Sequence, residues 1–204
     1  MIAFGTMKLK VGLSKPRRIF SGVLIGAMAP MAAAGAAAVQ AKDFSRLVEL
    51  SATRLEISRQ VALTKWDSKL SVADPPNDPR EKQVIDAATS EARDKGIPGE
   101  LASAFFADQI EASKLIQFVL MADWRRSGSV PADRRADLKT ELRPALDRLR
   151  TQFIEELVAT QILRADPGCK LHLVTTAGDH AKRHRLASLY RIGLDRGLAR
   201  VCGD

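Results

Sequence analysis

The chain has 204 residues, of which 46% are hydrophobic and 27% charged, with a formal net charge of +8. That length holds one domain with a real core plus a short leader. Five of the eight excess charges, Lys8, Lys10, Lys15, Arg17 and Arg18, lie in the first 41 residues beside no acidic residue, leaving +3 for the remainder. With those charges set aside, a nucleic-acid partner loses most of its support.

Residues 1–41 have the parts of a secretory signal peptide: the basic segment, an apolar run from Ile19 to Ala38, and small residues ending at Val39-Gln40-Ala41, where the cut is expected. Met7 offers an alternative start, and Arg17-Arg18 hints at twin-arginine export. A membrane anchor is the rival reading, since the run is about long enough to span a bilayer. Its Ala and Gly content and Pro30 favour cleavage, with periplasmic or secreted release and no stable membrane insertion afterwards.

From residue 42 to 204 apolar residues recur at spacings of three and four, and nothing alternates with period two. The expected fold is all-α: a single-domain helical bundle of about five to six helices. The first helix should run from an Asp43 N-cap to about Leu70, burying Leu47, Val48, Leu55, Val61 and Ala62. The prolines of Asp74-Pro-Pro-Asn-Asp-Pro end it. A second helix should open at Arg80 or Glu81 and stop at Gly96. The third, about Gly99 to Arg126, carries Leu101, Phe105, Phe106, Ile110, Leu115, Ile116, Val119 and Leu120 nearly all round and should be central. A fourth region should span about Ala132 to Ala165 with a kink or restart at Pro144, and one or two more helices should reach Val201. The basic run His180-Ala-Lys-Arg-His-Arg reads as a solvated helix face.

Cys169 and Cys202 are the only cysteines. In an oxidising compartment an even pair is most simply a disulfide, contributing about 3 to 4 kcal/mol. The alternative, a metal site, needs more ligands, and His172, His180 and His184 do not have finger-like spacing with them.

Chemistry is suggested by polar residues at positions that a helical core would fill with apolar ones. Arg54 and Lys65 are eleven residues apart, about three helical turns, so both cations share a face with Ser58 and Val61 between them. Ser113 and Gln117 are four apart on the greasy third helix. Arg80 and Glu81 open the second helix, and Arg143 sits early in the fourth region. Singly these are snorkelling or dipole-pairing side chains. Converging, they form a cationic pocket that an anion would have to fill.

The segments Arg54-Leu-Glu-Ile-Ser-Arg-Gln-Val-Ala-Leu-Thr-Lys-Trp66, Pro79-Arg-Glu-Lys-Gln-Val-Ile-Asp-Ala-Ala88 and Phe105-Phe-Ala-Asp-Gln-Ile-Glu-Ala-Ser-Lys-Leu-Ile-Gln117, in that order, resemble the secreted, all-helical class of chorismate mutases. The resemblance runs from Phe44 to Cys202 and includes the two cysteines, which in that class close a C-terminal disulfide. It implies the Claisen rearrangement of the dianion chorismate to prephenate, with no cofactor, no metal and no covalent intermediate, in a homodimer whose sites each lie within one chain. By the same likeness Arg54 and Arg143 clamp the carboxylates, supported by Arg80. Lys65 bridges a carboxylate and the ether oxygen, and Gln117 is the second donor to that oxygen. Glu81 accepts from the substrate hydroxyl, and Ser113 donates to a carboxylate. The chain departs from the class in a longer Lys65–Arg80 segment and in Asn77, which stands three before Arg80 where related enzymes often have an acid. A non-catalytic helical adaptor and a small-anion binding protein are the rival readings.

Overall fold

The computed structural model describes residues 43–73 and 79–203, so the expected signal peptide and Asn77 lie outside the described residues. Within them are seven α-helices and a π-helical turn, and no strand. The helices are α1 (Ser45–Asp67), α2 (Arg80–Asp94), α3 (Gly99–Ser127), α4 (Arg143–Ala159), α5 (Gln161–Ala165), α6 (Cys169–Arg183) and α7 (Ser188–Gly197), with the π turn at Leu138–Leu142. None is long and apolar enough to cross a membrane.

α3 is central, as its apolar girth implies: α1, α2 and α7 all pack along it, and α4 closes against α1 and α2. The five apolar positions expected to face inward on α1 are all buried. Phe105 and Phe106 of α3 meet Phe153 of α4 edge-to-face, with centroids 5.2 and 6.1 Å apart. Such pairs add to the large area that the rings bury and tie α3 to α4.

Helix ends differ from the sequence reading where side chains compete for backbone groups. Phe44, not Asp43, is the N-cap of α1. Asp43 instead accepts from the Ser45 amide at 2.8 Å. α2 ends as expected, with Gly96 in the left-handed region at φ 78°, which glycine adopts without the Cβ clash of other residues.

The fourth region begins later than expected. Residues 129–137 form no helix, because Arg135 commits its guanidinium to the carbonyls of Pro131 and Asp133 and to the Asp67 carboxylate. Asp137 then caps the π turn, accepting from the amides of Lys139 and Thr140 at 2.8 and 2.7 Å. Pro144 lies in the first turn of α4, where its missing N–H leaves no bond unmade. The region breaks again at Thr160, whose hydroxyl takes the Glu156 carbonyl at 2.6 Å while Arg164 takes that of Leu157 at 2.9 Å. That break separates α5 and raises the helix count to seven.

Cys169 at the start of α6 and Cys202 after α7 form the expected disulfide, with Cα atoms 5.8 Å apart. The basic run after Asp179 is only partly solvated: Lys182 and Arg183 are exposed, but the His180 ring is buried, stacked 4.3 Å from that of His184.

Candidate active site

Arg54, Lys65, Arg80, Glu81, Ser113, Gln117 and Arg143 all line one cavity of about 160 Å³. Each helix contributes by its register. Residues 54, 58, 61 and 65 form one stripe of α1 and 113 and 117 one stripe of α3, while the first turns of α2 and α4 supply Arg80, Glu81 and Arg143. Val61, Val72, Val84, Phe106, Ile110, Leu138 and Leu146 supply the apolar wall. Such a lining suits an apolar ring carrying fixed negative groups.

The α1–α3 seam is held by short polar contacts. Ser58 donates to the Arg54 carbonyl at 2.8 Å, and its Oγ lies 2.6 Å from the Ser113 Oγ. Arg54 is only 7% exposed, with its Nε donating to the Gln109 carbonyl at 3.3 Å. Burial lowers its pKa to about 10, which leaves it charged at neutral pH. Gln117 donates from Nε2 to the Ser113 carbonyl at 3.2 Å. Its buried Oε1 has no partner among the described residues. Lys65 donates to the carbonyl of Val72 at 2.8 Å. Val72 is in turn packed with Ala62, Leu63, Met121 and Trp124, so this apolar cluster fixes the loop carbonyl that orients the lysine.

Three further charged residues on the wall escaped the sequence reading: Lys114, Asp147 and Arg150. Lys114 donates to Glu81 at 3.2 Å and Glu111 at 2.8 Å. Arg150 donates to Glu91 and Asp147 at 3.0 and 2.9 Å. Arg150 was within reach of periodicity, being seven residues, about two turns, after Arg143. Lys114 was not, since nothing in the sequence pairs it with Glu81. In total the wall presents six cations and two carboxylates. Arg54 and Arg143 meet no carboxylate among the described residues. Left so, a buried guanidinium is costly, and a dianion placed between such groups answers their charge.

Behind the cavity, α7 anchors α3. The Asp108 carboxyl, 1% exposed, accepts from Arg196 and from Arg200, the latter at 2.6 and 2.8 Å. Burial alone would raise its pKa, but hydrogen bonds from Arg200 and Arg196 hold it below the usual carboxylate range. Next to it, Gln109 donates to the Gly197 carbonyl at 2.8 Å and to Ser51 at 3.1 Å. A Cβ at residue 197 would lie 3.0 Å from the Gln109 amide nitrogen, so glycine there permits the close approach. The residue whose carbonyl receives Arg54 is thus held from both α1 and α7.

Known proteins share this arrangement of sequence and backbone. The family model described as chorismate mutase type II matches residues 45–118, the span of α1, α2 and most of α3. The secreted chorismate mutase of Mycobacterium tuberculosis is 26% identical over 196 residues, covering 93% of this chain and 96% of that one. The secreted chorismate mutase of Yersinia pestis is 30% identical over 146 residues, covering 70% and 75%. In three dimensions, the crystal structure of chorismate mutase from Burkholderia phymatum superposes with a TM-score of 0.75 at 38% identity, covering 79% of this chain and 96% of that one. Likeness at that identity, carried over nearly the whole of a solved neighbour and including the helices that build the cavity, makes this chain a member of the chorismate mutase family.

Proposed function

We propose that the protein is an exported chorismate mutase, converting chorismate to prephenate without cofactor or covalent intermediate. The observation that carries the reading is the convergence of Arg54, Lys65, Arg80 and Arg143 with Ser113 and Gln117 on one cavity. In the rearrangement the carbon–oxygen bond of the enolpyruvyl ether breaks ahead of carbon–carbon bond formation. Negative charge gathers on the ether oxygen, no atom leaves, and no proton is transferred. The protein's tasks are to hold a flexible dianion in a compact, chair-like shape and to stabilise that oxygen.

Arg54 and Arg143 reach the cavity from α1 and α4 and clamp the two carboxylates, with Arg80 adding its charge from α2 and Ser113 a hydroxyl donor whose proton turns from the Ser58 oxygen to the substrate. Lys65 bridges a carboxylate and the ether oxygen. Gln117 is the second donor to that oxygen, and Glu81 accepts from the ring hydroxyl. A rigid cage of this kind favours the transition state, because its donors are already aimed where charge develops and little reorganisation is left to do.

On this reading residues 1–41 are a signal peptide removed on export, and residues 42–204 form the mature enzyme. The mature chain acts as a homodimer with each site inside one protomer. Supporting the dimer, Ile162, Leu171 and Val174 leave apolar side chains 86, 72 and 68% exposed, away from the cavity. The test is direct: mix purified mature protein with chorismate and follow the loss of its absorbance. Catalysed loss with prephenate as product supports the proposal; binding without loss leaves an anion-binding protein, and neither leaves a non-catalytic helical module.

A further inference from the structure

We infer that Lys114, by pairing with Glu81, makes the cavity select a neutral hydroxyl over an ammonium group on the substrate ring. The inference rests on the chorismate reading of the cavity, in which Glu81 meets the ring hydroxyl.

Lys114 follows Ser113 on α3 and lines the cavity beside Glu81. Its ammonium stands between two carboxylates: Glu81 Oε2 at 3.2 Å and Glu111 Oε1 at 2.8 Å. The lysine side chain is 20% exposed, that of Glu81 34% and that of Glu111 48%. The cluster therefore runs from the cavity wall, through a largely covered lysine, to a solvated glutamate.

Each member of that row has a consequence. A lone carboxylate in the wall would accept from a hydroxyl or from an ammonium and would favour the ammonium by charge. With Lys114 against one oxygen, Glu81 already has its cation and keeps its other oxygen for a substrate donor. A hydroxyl uses that oxygen at no electrostatic cost. An ammonium placed there would share one carboxylate with Lys114 at close range, where like charges repel strongly. Glu111 holds Lys114 from the solvent side, one turn back on α3, and so keeps the lysine from swinging into the cavity as a further clamp on the substrate carboxylates.

The test compares chorismate with aminodeoxychorismate, its analogue carrying an amino group in place of the ring hydroxyl. Rates and thermal midpoints are measured for the wild type, Lys114→Gln, Lys114→Met and Lys114→Arg. The wild type should prefer chorismate. Lys114→Gln and Lys114→Met should raise KM for chorismate more than they lower kcat, and should move the kcat/KM ratio about tenfold towards the amine. Lys114→Arg should restore the wild-type ratio. An unmoved ratio in both neutral variants, with the wild type turning over chorismate, overturns the role of Lys114 and leaves the cavity reading intact. So does a ratio that moves equally in Lys114→Arg, since charge would then not be the cause. A wild type that turns over neither compound overturns the cavity reading and this inference with it.

Discussion

The guanidinium of Arg54 is held by a main-chain carbonyl, that of Gln109 at 3.3 Å, rather than by any carboxylate among the described residues. A pKa lowered from 12.5 to about 10 by burial corresponds to about 3 kcal/mol of desolvation that the fold does not recover. An apolar side chain of similar length escapes that penalty. Arg54→Met should therefore unfold at or above the wild-type temperature while chorismate turnover falls by about three powers of ten. Calorimetry and a rate assay on the same preparation check both halves. A midpoint lowered by several degrees would identify Arg54 as a structural residue.

Lys65 is expected to carry more of the rate than any other residue, because it alone is assigned both a carboxylate and the ether oxygen. An oxyanion donor is worth about 3 to 4 kcal/mol, and Lys65→Ala also removes a full charge. Turnover should fall by several powers of ten. Because Lys65 lies in the last turn of α1 and bonds the Val72 carbonyl, far-ultraviolet circular dichroism should accompany the assay. A native helical spectrum with near-normal kcat would remove Lys65 from the mechanism.

Periodicity was enough to find these two cations, since a straight helix turns sequence spacing into a shared face. It likewise predicted α3 as the central helix and placed Ser113 beside Gln117. What sequence could not show depends on contacts between helices or on side chains competing for backbone groups. Arg135 taking loop carbonyls delayed the fourth helix, and Thr160 with Arg164 split it, although no proline or glycine marks that break. Lys114 and the buried Asp108 acquire meaning only from partners 33 and about 90 residues away. His180 departs from its sequence expectation for a related reason. A charged neighbourhood in sequence suggested a wet face, but one ring of the run turns inward against α1.

Gln117 supports a prediction about pH. Its Nε2 donates to the Ser113 carbonyl at 3.2 Å and to the Ser113 Oγ at 3.3 Å, so donation to the ether oxygen exchanges the longer of these contacts, and an amide does not titrate. The kcat/KM profile should be flat through neutral pH. Gln117→Glu substitutes a group that donates only when protonated, so its activity should rise as pH falls. A wild-type profile with a steep acid optimum would argue that Gln117 is not a donor to the ether oxygen.

The buried His180 predicts a pH dependence of stability rather than of rate. Burial and then the nearby His184 and Arg183 lower its pKa below 6.5, against a smaller opposing pull from Glu49 on α1. Glu56 of α1 and Tyr190 of α7 complete the polar surroundings. Folded His180 is therefore neutral at a pH where the unfolded residue already takes up a proton. Stability from this group is full above about pH 6.5 and is lost as pH falls towards the folded value, because the unfolded chain then binds more protons. The thermal midpoint should drop as pH falls below about 6.5. His180→Gln keeps a polar group of similar size without the charge change, so that drop should shrink. An equal drop in the variant would assign the acid sensitivity to other groups.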